Sequence, residues 1–161
     1  MMPSSTEHAL GMIETAMPDC VQVHSTVEAT ILHSIRSYSD VQLHQVFPLP
    51  EQATMDHAVD IINKVNLLID ADLVDGIVLD TGSANGGGSG KVHDWNISRE
   101  IVGELDLPVI VAGGLTPENV ASCVEQISPY GVDVSSGVEK DGHKDESLVC
   151  EFIENARCSL C

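Results

Sequence analysis

Gly76-Ile77-Val78-Leu79-Asp80-Thr81 is an apolar, partly β-branched run that ends on a carboxylate, and Gly86-Gly87-Gly88-Ser89-Gly90-Lys91 follows a few residues later. A run of this kind reads as a buried strand, so an aspartate at its end sits where the interior meets water. Glycines let the backbone approach a phosphate, whose oxygens successive N–H groups can then meet. Two more glycine-bearing strand ends come later, Val109-Ile110-Val111-Ala112-Gly113-Gly114-Leu115 and Gly131-Val132-Asp133-Val134-Ser135-Ser136-Gly137-Val138-Glu139. Three such ends in succession describe a site assembled from several strands.

Working outward, short apolar runs alternate with segments of helical spacing. Ser4-x-x-Glu7 reads as a capping box for a first helix carrying Ala9, Leu10, Ile13, Ala16 and Met17, which Pro18 ends. A strand over 20–24 follows, then a helix marked by Val27, Ile31, Leu32 and Ile35, then a strand over 41–47 that Pro48 stops. The pattern predicts a helix over 52–68, the strand over 76–79, and a helix that Asp94 caps and Trp95, Ile101, Val102 and Leu105 line. After a strand over 108–112, Thr116-Pro117 opens a helix with proline at its first position, running to about 127. A strand over 131–135 precedes a last helix, capped by Asp145, that buries Leu148, Val149, Phe152 and Ile153.

Strict alternation of strand and helix implies parallel strands joined by crossover helices. An open doubly wound sheet and part of a (β/α)8 barrel both satisfy it. An open sheet carries one phosphate-type loop at its switch point, whereas a barrel builds its site from successive strand ends late in the chain. The expectation is therefore α/β, a partial TIM barrel of about five parallel strands alternating with helices, with residues 1–161 as a single domain.

The 161 residues include 7 Lys plus Arg against 25 Asp plus Glu, a formal charge of −18. That charge repels nucleic acid and anionic membranes, so neither is expected as a partner. A local cradle of amides can still hold a small phosphorylated substrate. So acidic a surface also suits a salt-rich cytoplasm, and with no apolar stretch near the roughly 18 residues of a membrane span, a cytoplasmic protein is expected. The five cysteines, Cys20, Cys123, Cys150, Cys158 and Cys161, are scattered and odd in number, unlike a disulfide framework. Cys158-Ser159-Leu160-Cys161 lacks a second pair and reads as a helix tail. His93, His143, His8, His33 and His57 lack metal spacing and are expected at the surface.

From Val21 onward the chain resembles phosphoribosylanthranilate isomerase, a (β/α)8 family of tryptophan biosynthesis. Val21-Gln22-Val23-His24 is similar to its fourth strand, Ile77-Val78-Leu79-Asp80-Thr81 to its sixth, and Ala112-Gly113-Gly114-Leu115-Thr116-Pro117-Glu118-Asn119-Val120 to the seventh with its helix. Gly87-Gly88-Ser89-Gly90-Lys91 with Asp94-Trp95 is similar to the loop after strand six, and the segment 131–139 to strand eight. The resemblance implies an Amadori rearrangement of N-(5-phosphoribosyl)anthranilate that needs no cofactor and no metal. It implies that Asp80 is the general acid, that Gly113, Gly114, Ser136 and Gly137 hold the phosphate, and that Asp133 and His24 contact the substrate.

The family's catalytic base, a cysteine ending the first strand in a Lys-Ile-Cys-Gly type of motif, has no counterpart among these residues. Nor do its arginine after strand two and the cation after strand five. Arg36 falls within a helix, a poor replacement. The chain corresponds to strands 4 to 8, so the expectation is an N-terminally truncated barrel whose bare inner face favours self-association or a missing N-terminal segment. Two rivals stay open. One is another phosphate-binding barrel, such as a pentose phosphate epimerase, marked by a metal requirement, or an indole glycerol phosphate synthase, marked by decarboxylation. The other is a catalytically silent phosphate-binding fragment, or half of a split enzyme.

Overall fold

The computed structural model describes residues 1–24, 29–81 and 92–158. Its elements alternate: α1 (Thr6–Ala16), β1 (Cys20–Val23), α2 (Ala29–Tyr38), β2 (Gln42–Leu49), α3 (Met55–Asp70), β3 (Gly76–Thr81), α4 (Trp95–Glu104), β4 (Val109–Ala112), α5 (Pro117–Ile127) and β5 (Gly131–Asp133). A short 3-10 turn (Ser136–Val138), a two-stranded hairpin of β6 (Glu139–Lys140) and β7 (His143–Lys144), and α6 (Glu146–Cys158) complete it.

The five main strands form one parallel sheet in the order β1-β2-β3-β4-β5. A doubly wound sheet reverses its strand order at a switch point. Here the order never reverses, so right-handed crossovers put every helix on the same face, and the sheet curls as part of a (β/α)8 barrel. Leu43, Leu49, Ile77, Leu79, Val109 and Val111 point outward and are buried beneath the helices. Ile61 and Val65 of α3 and Ile97 and Ile101 of α4 lie in one core cluster with Ile77 and Leu79.

The inner face carries the alternate residues. In register, Val46, Val78 and Ile110 form one row across the sheet, and Pro48, Asp80, Ala112 and Asp133 form the next row toward the strand ends. Curling brings the first row together. Val46 and Val78 of that row and Ala112 of the next form a small buried cluster, with Ile110 packed against it. The free edge of β1 is partly met by Met1, whose ammonium group donates to the Gln22 carbonyl and whose carbonyl accepts from the His24 N–H at 2.9 Å.

Several local expectations shift. The cap of α1 is Ser5, not Ser4. Ser5 Oγ accepts from the His8 N–H, and this register turns Ala9 and Ile13 inward while Ala16 and Met17 face solvent. Strand β2 runs through Pro48 to Leu49. The paired part of β1 ends opposite Gln45, so a residue without an N–H is tolerated where β2 has a neighbour on one side only. Helix α3 starts at Met55, where the His57 imidazole accepts from the Thr54 N–H. Strand β5 stops at Asp133. Asp145 does cap α6, accepting from the Leu148 N–H at 3.1 Å, but Ile153 is exposed and Phe152 alone is fully buried on that helix. Val27, the glycine stretch 86–91 and Cys161 lie outside the described residues.

Candidate active site

The inner rows end at one rim. Asp80 on β3 and Asp133 on β5 are both in register with Ala112 of β4, so they stand on the same face with Ala112 between them. His24, one residue past β1, belongs to the same face by the strand's alternation. Asp80 is half-buried, and burial pushes its carboxyl above the ordinary aspartate value. The His24 imidazole draws that value back down, and the Asp133 carboxylate raises it further. Both groups therefore act on Asp80 at one mouth, and burial there favours its protonated form.

The glycines after β4 and β5 are close-approach positions. A Cβ at Gly113 would lie 2.3 Å from the nitrogen and 2.4 Å from the oxygen of Thr81, the residue after Asp80. Gly113 and Gly114 also have φ of 87° and 68°, which favour glycine. A Cβ at Gly137 would lie 1.8 Å from the Leu115 carbonyl oxygen. The end of β3 and the loops after β4 and β5 thus touch backbone to backbone. Asn119 fixes the middle one: its amide group donates to the Gly114 carbonyl at 3.0 Å, and its oxygen accepts from the Thr116 N–H at 2.9 Å. Ser136 and Gly137 begin the 3-10 turn after β5. Lys144 reaches back from the hairpin to the Ser135 carbonyl at 2.8 Å and to Glu139 at 2.8 Å.

Lys91 lies outside the described residues. Arg36 is tied to Asp75 at 2.7 Å, and Asp75 precedes β3, so this cation stands at the opposite end of the strand from Asp80. The described cysteines are no closer to the strand ends. Cys20 begins β1, Cys150 and Cys158 lie on α6, and Cys123 is buried on α5 with its thiol pushed up to about 11 by burial. Among the described residues, no group of three or more His, Cys, Asp and Glu is placed to hold a metal ion.

One functional candidate escaped the sequence. His93, expected at the surface, is 3% exposed. Its Nδ1 hydrogen bonds to Thr81 Oγ1 and its Nε2 lies 2.6 Å from Ser98 Oγ. Its neighbours in sequence, Val92 and Asp94, are both exposed, so nothing local marks it as buried.

Comparison with known proteins agrees with this fold. The model of a family described as N-(5'-phosphoribosyl)anthranilate (PRA) isomerase matches residues 3–155. An N-(5'-phosphoribosyl)anthranilate isomerase of Methanosarcina acetivorans is 40% identical over 99% of this chain and 69% of its own length. Among solved structures, the enzyme of that name from Pyrococcus furiosus aligns with TM-score 0.76 at 32% identity, over 96% of this chain and 70% of the other. Phosphoribosyl anthranilate isomerase from Thermotoga maritima aligns with TM-score 0.79 at 26% identity, over 98% and 71%.

Proposed function

Because the chain belongs to the N-(5'-phosphoribosyl)anthranilate isomerase family of tryptophan biosynthesis, we propose that it carries that enzyme's acid and its phosphate-holding strand ends. In the proposed reaction, Asp80 protonates the ribose ring oxygen of N-(5-phosphoribosyl)anthranilate as the C1–O bond breaks, which leaves an iminium ion. A base then removes the C2 proton, and the enol that forms tautomerises to the aminoketose, 1-(2-carboxyphenylamino)-1-deoxyribulose 5-phosphate. The observation that carries this reading is the half-buried Asp80 whose carboxyl is raised by burial, in register with Ala112 and hence beside Gly113. A general acid needs its protonated form favoured, and burial acts on Asp80 in that direction.

Gly113, Gly114, Ser136 and Gly137 are proposed to meet the phosphate through their N–H groups. This is supported by the contact between their loops and by the close approach that each of Gly113 and Gly137 allows. Asp133 and His24 are proposed to bond the sugar hydroxyls opened at the same rim. The base and the cation for the anthranilate carboxylate are proposed to come from outside these 161 residues, from a segment ahead of Met1 or from an associated chain. Support comes from the placement of Cys20, Cys123, Cys150, Cys158 and Arg36 away from the mouth. Residues 1–161 then act as one partial-barrel domain. The compartment proposed is the cytoplasm, where a sugar phosphate too charged to cross a membrane is retained. With no cysteine at the mouth among the described residues, the same placement favours a second reading, a silent phosphate-binding half.

Loss of anthranilate fluorescence on adding N-(5-phosphoribosyl)anthranilate separates these cases. Turnover by the chain alone rejects the silent reading. Turnover only when a fragment bearing the first three strands of a family member is added supports an incomplete mouth. In whichever form turns over, Asp80→Asn is expected to bind substrate but react about 10²–10⁴-fold more slowly. Unchanged turnover would remove Asp80 from the chemistry.

A further inference from the structure

Behind the mouth lies a second polar cluster that the proposed chemistry does not use. The last two residues of β3 point to opposite faces. Asp80 looks inward, while Thr81, 1% exposed, looks out into the helical layer. There Thr81 meets His93, and His93 meets Ser98 on α4. All three are buried in a layer otherwise filled by Leu79, Ile97 and Ile101.

Such an arrangement is fully satisfied with a neutral imidazole. One ring nitrogen then donates and the other accepts, and each hydroxyl can take the complementary part. Burial holds His93 below the ordinary histidine range, and the Asp94 carboxylate at the start of α4 pulls the other way without reversing it. Apolar side chains at these positions would fill the space without desolvating three polar groups. What the hydrogen bonds add is direction: they set the distance and angle between the end of β3 and α4. On its β4 side the same residue is met by Gly113, at a separation that leaves no room for a Cβ. Thr81 is thus gripped on both flanks, and Asp80 is the residue before it.

We propose that His93 is a positioning residue, which through Thr81 and Ser98 fixes the end of β3 and so keeps the Asp80 carboxyl in its half-buried place at the mouth. This rests on the reading of Asp80 as the acid. His93 touches neither the substrate nor Asp80, and its effect passes through the backbone of residues 80 and 81. Loosening the relay lets the strand end splay, lets water reach Asp80 and weakens the desolvation that raises it.

The test is a ¹³C titration of the Asp80 carboxyl, assigned by its loss in Asp80→Asn, in the unmodified chain and in Thr81→Val, His93→Phe, His93→Gln and Ser98→Ala. In the unmodified chain the carboxyl is expected to titrate above the ordinary aspartate range. Thr81→Val and His93→Phe are expected to lower it toward the ordinary aspartate value, Ser98→Ala by less, and His93→Gln, which keeps a donor and an acceptor, least of all. Thermal melts run alongside identify the variants that fold cooperatively. If His93→Phe does not fold, the near-isosteric Thr81→Val decides. Stability lost with the Asp80 titration unmoved would make the cluster purely structural and overturn the proposal. An ordinary value already in the unmodified chain would instead defeat the acid reading on which the proposal rests.

Discussion

Alanine in place of Gly113 is expected to be far more damaging than one added methyl suggests. Its Cβ would lie 2.3 Å from the Thr81 nitrogen, 2.4 Å from the Thr81 oxygen and 2.7 Å from the Thr81 Cα, all backbone atoms that cannot rotate aside. The φ of 87° adds the strain of an L side chain in left-handed space, about 1–2 kcal/mol. Forcing a methyl group into a filled position costs about 1–3 kcal/mol, so the two together come to roughly 2–5 kcal/mol. For a chain of this length each kcal/mol moves the melting temperature by about 2–4 °C, which gives a fall of about 4–20 °C. Gly11 on α1 is the internal control, since nothing lies within 4 Å of the Cβ it would gain. Gly11→Ala should stabilise by about 0.5–1 kcal/mol through helix propensity alone. Thermal and urea melts followed by circular dichroism, with the three proteins side by side, measure both effects. A Gly113→Ala protein within about 0.5 kcal/mol of the unmodified chain would refute the backbone contact between the ends of β3 and β4.

Three further outcomes can be checked with the same instruments. Because the folded-state value of Asp80 is raised, the group favours folding below its unfolded value of 3.8 and loses that contribution as pH rises through the folded value. Asp80→Asn should therefore melt higher than the unmodified chain at pH 7, with the gain disappearing below pH 3.8. Asp75 behaves oppositely: burial raises it, but the Leu43 N–H and Arg36 outweigh burial and hold its carboxyl below the ordinary value. Its contribution is present above 3.8 and fades as pH falls through the folded value. Arg36→Met should thus cost about 1 kcal/mol at pH 7 and progressively less in acid. Finally, a charge of −18 repels itself at low ionic strength, so potassium chloride should raise the melting temperature. A flat response over 0.1–1 M, where the screening length shrinks from about 10 to 3 Å, would show that self-repulsion does not limit stability.

Element order was legible because hydrophobic period distinguishes strand from helix. The glycine-bearing ends of β4 and β5 were legible because glycine is the residue a close backbone approach requires; the stretch 86–91 lies outside the described residues. The misreadings have local physical causes. Ser4 and Ser5 are adjacent candidates for one cap, and only the packing of Ala9 and Ile13 selects the second. Pro48 reads as a breaker because sequence does not show that β1 ends before reaching it. The β6–β7 hairpin does carry a sequence signal: Asp141 and Gly142, both with positive φ, form the turn between its strands. His93 carried no such signal, since its partner Thr81 stands twelve residues earlier and burial of a histidine is decided by the tertiary fold.

The layout of proton donor and phosphate amides around one mouth is open to direct observation by mapping backbone amide and carboxyl resonances while the phosphorylated aminoketose product is titrated into the chain. Joint movement of the amides of Gly113, Gly114, Ser136 and Gly137, together with the Asp80 carboxyl, is the predicted result. If those four amides stay fixed while signals elsewhere move, or if Asp80 does not respond when they do, the donor and the phosphate nest do not share a site.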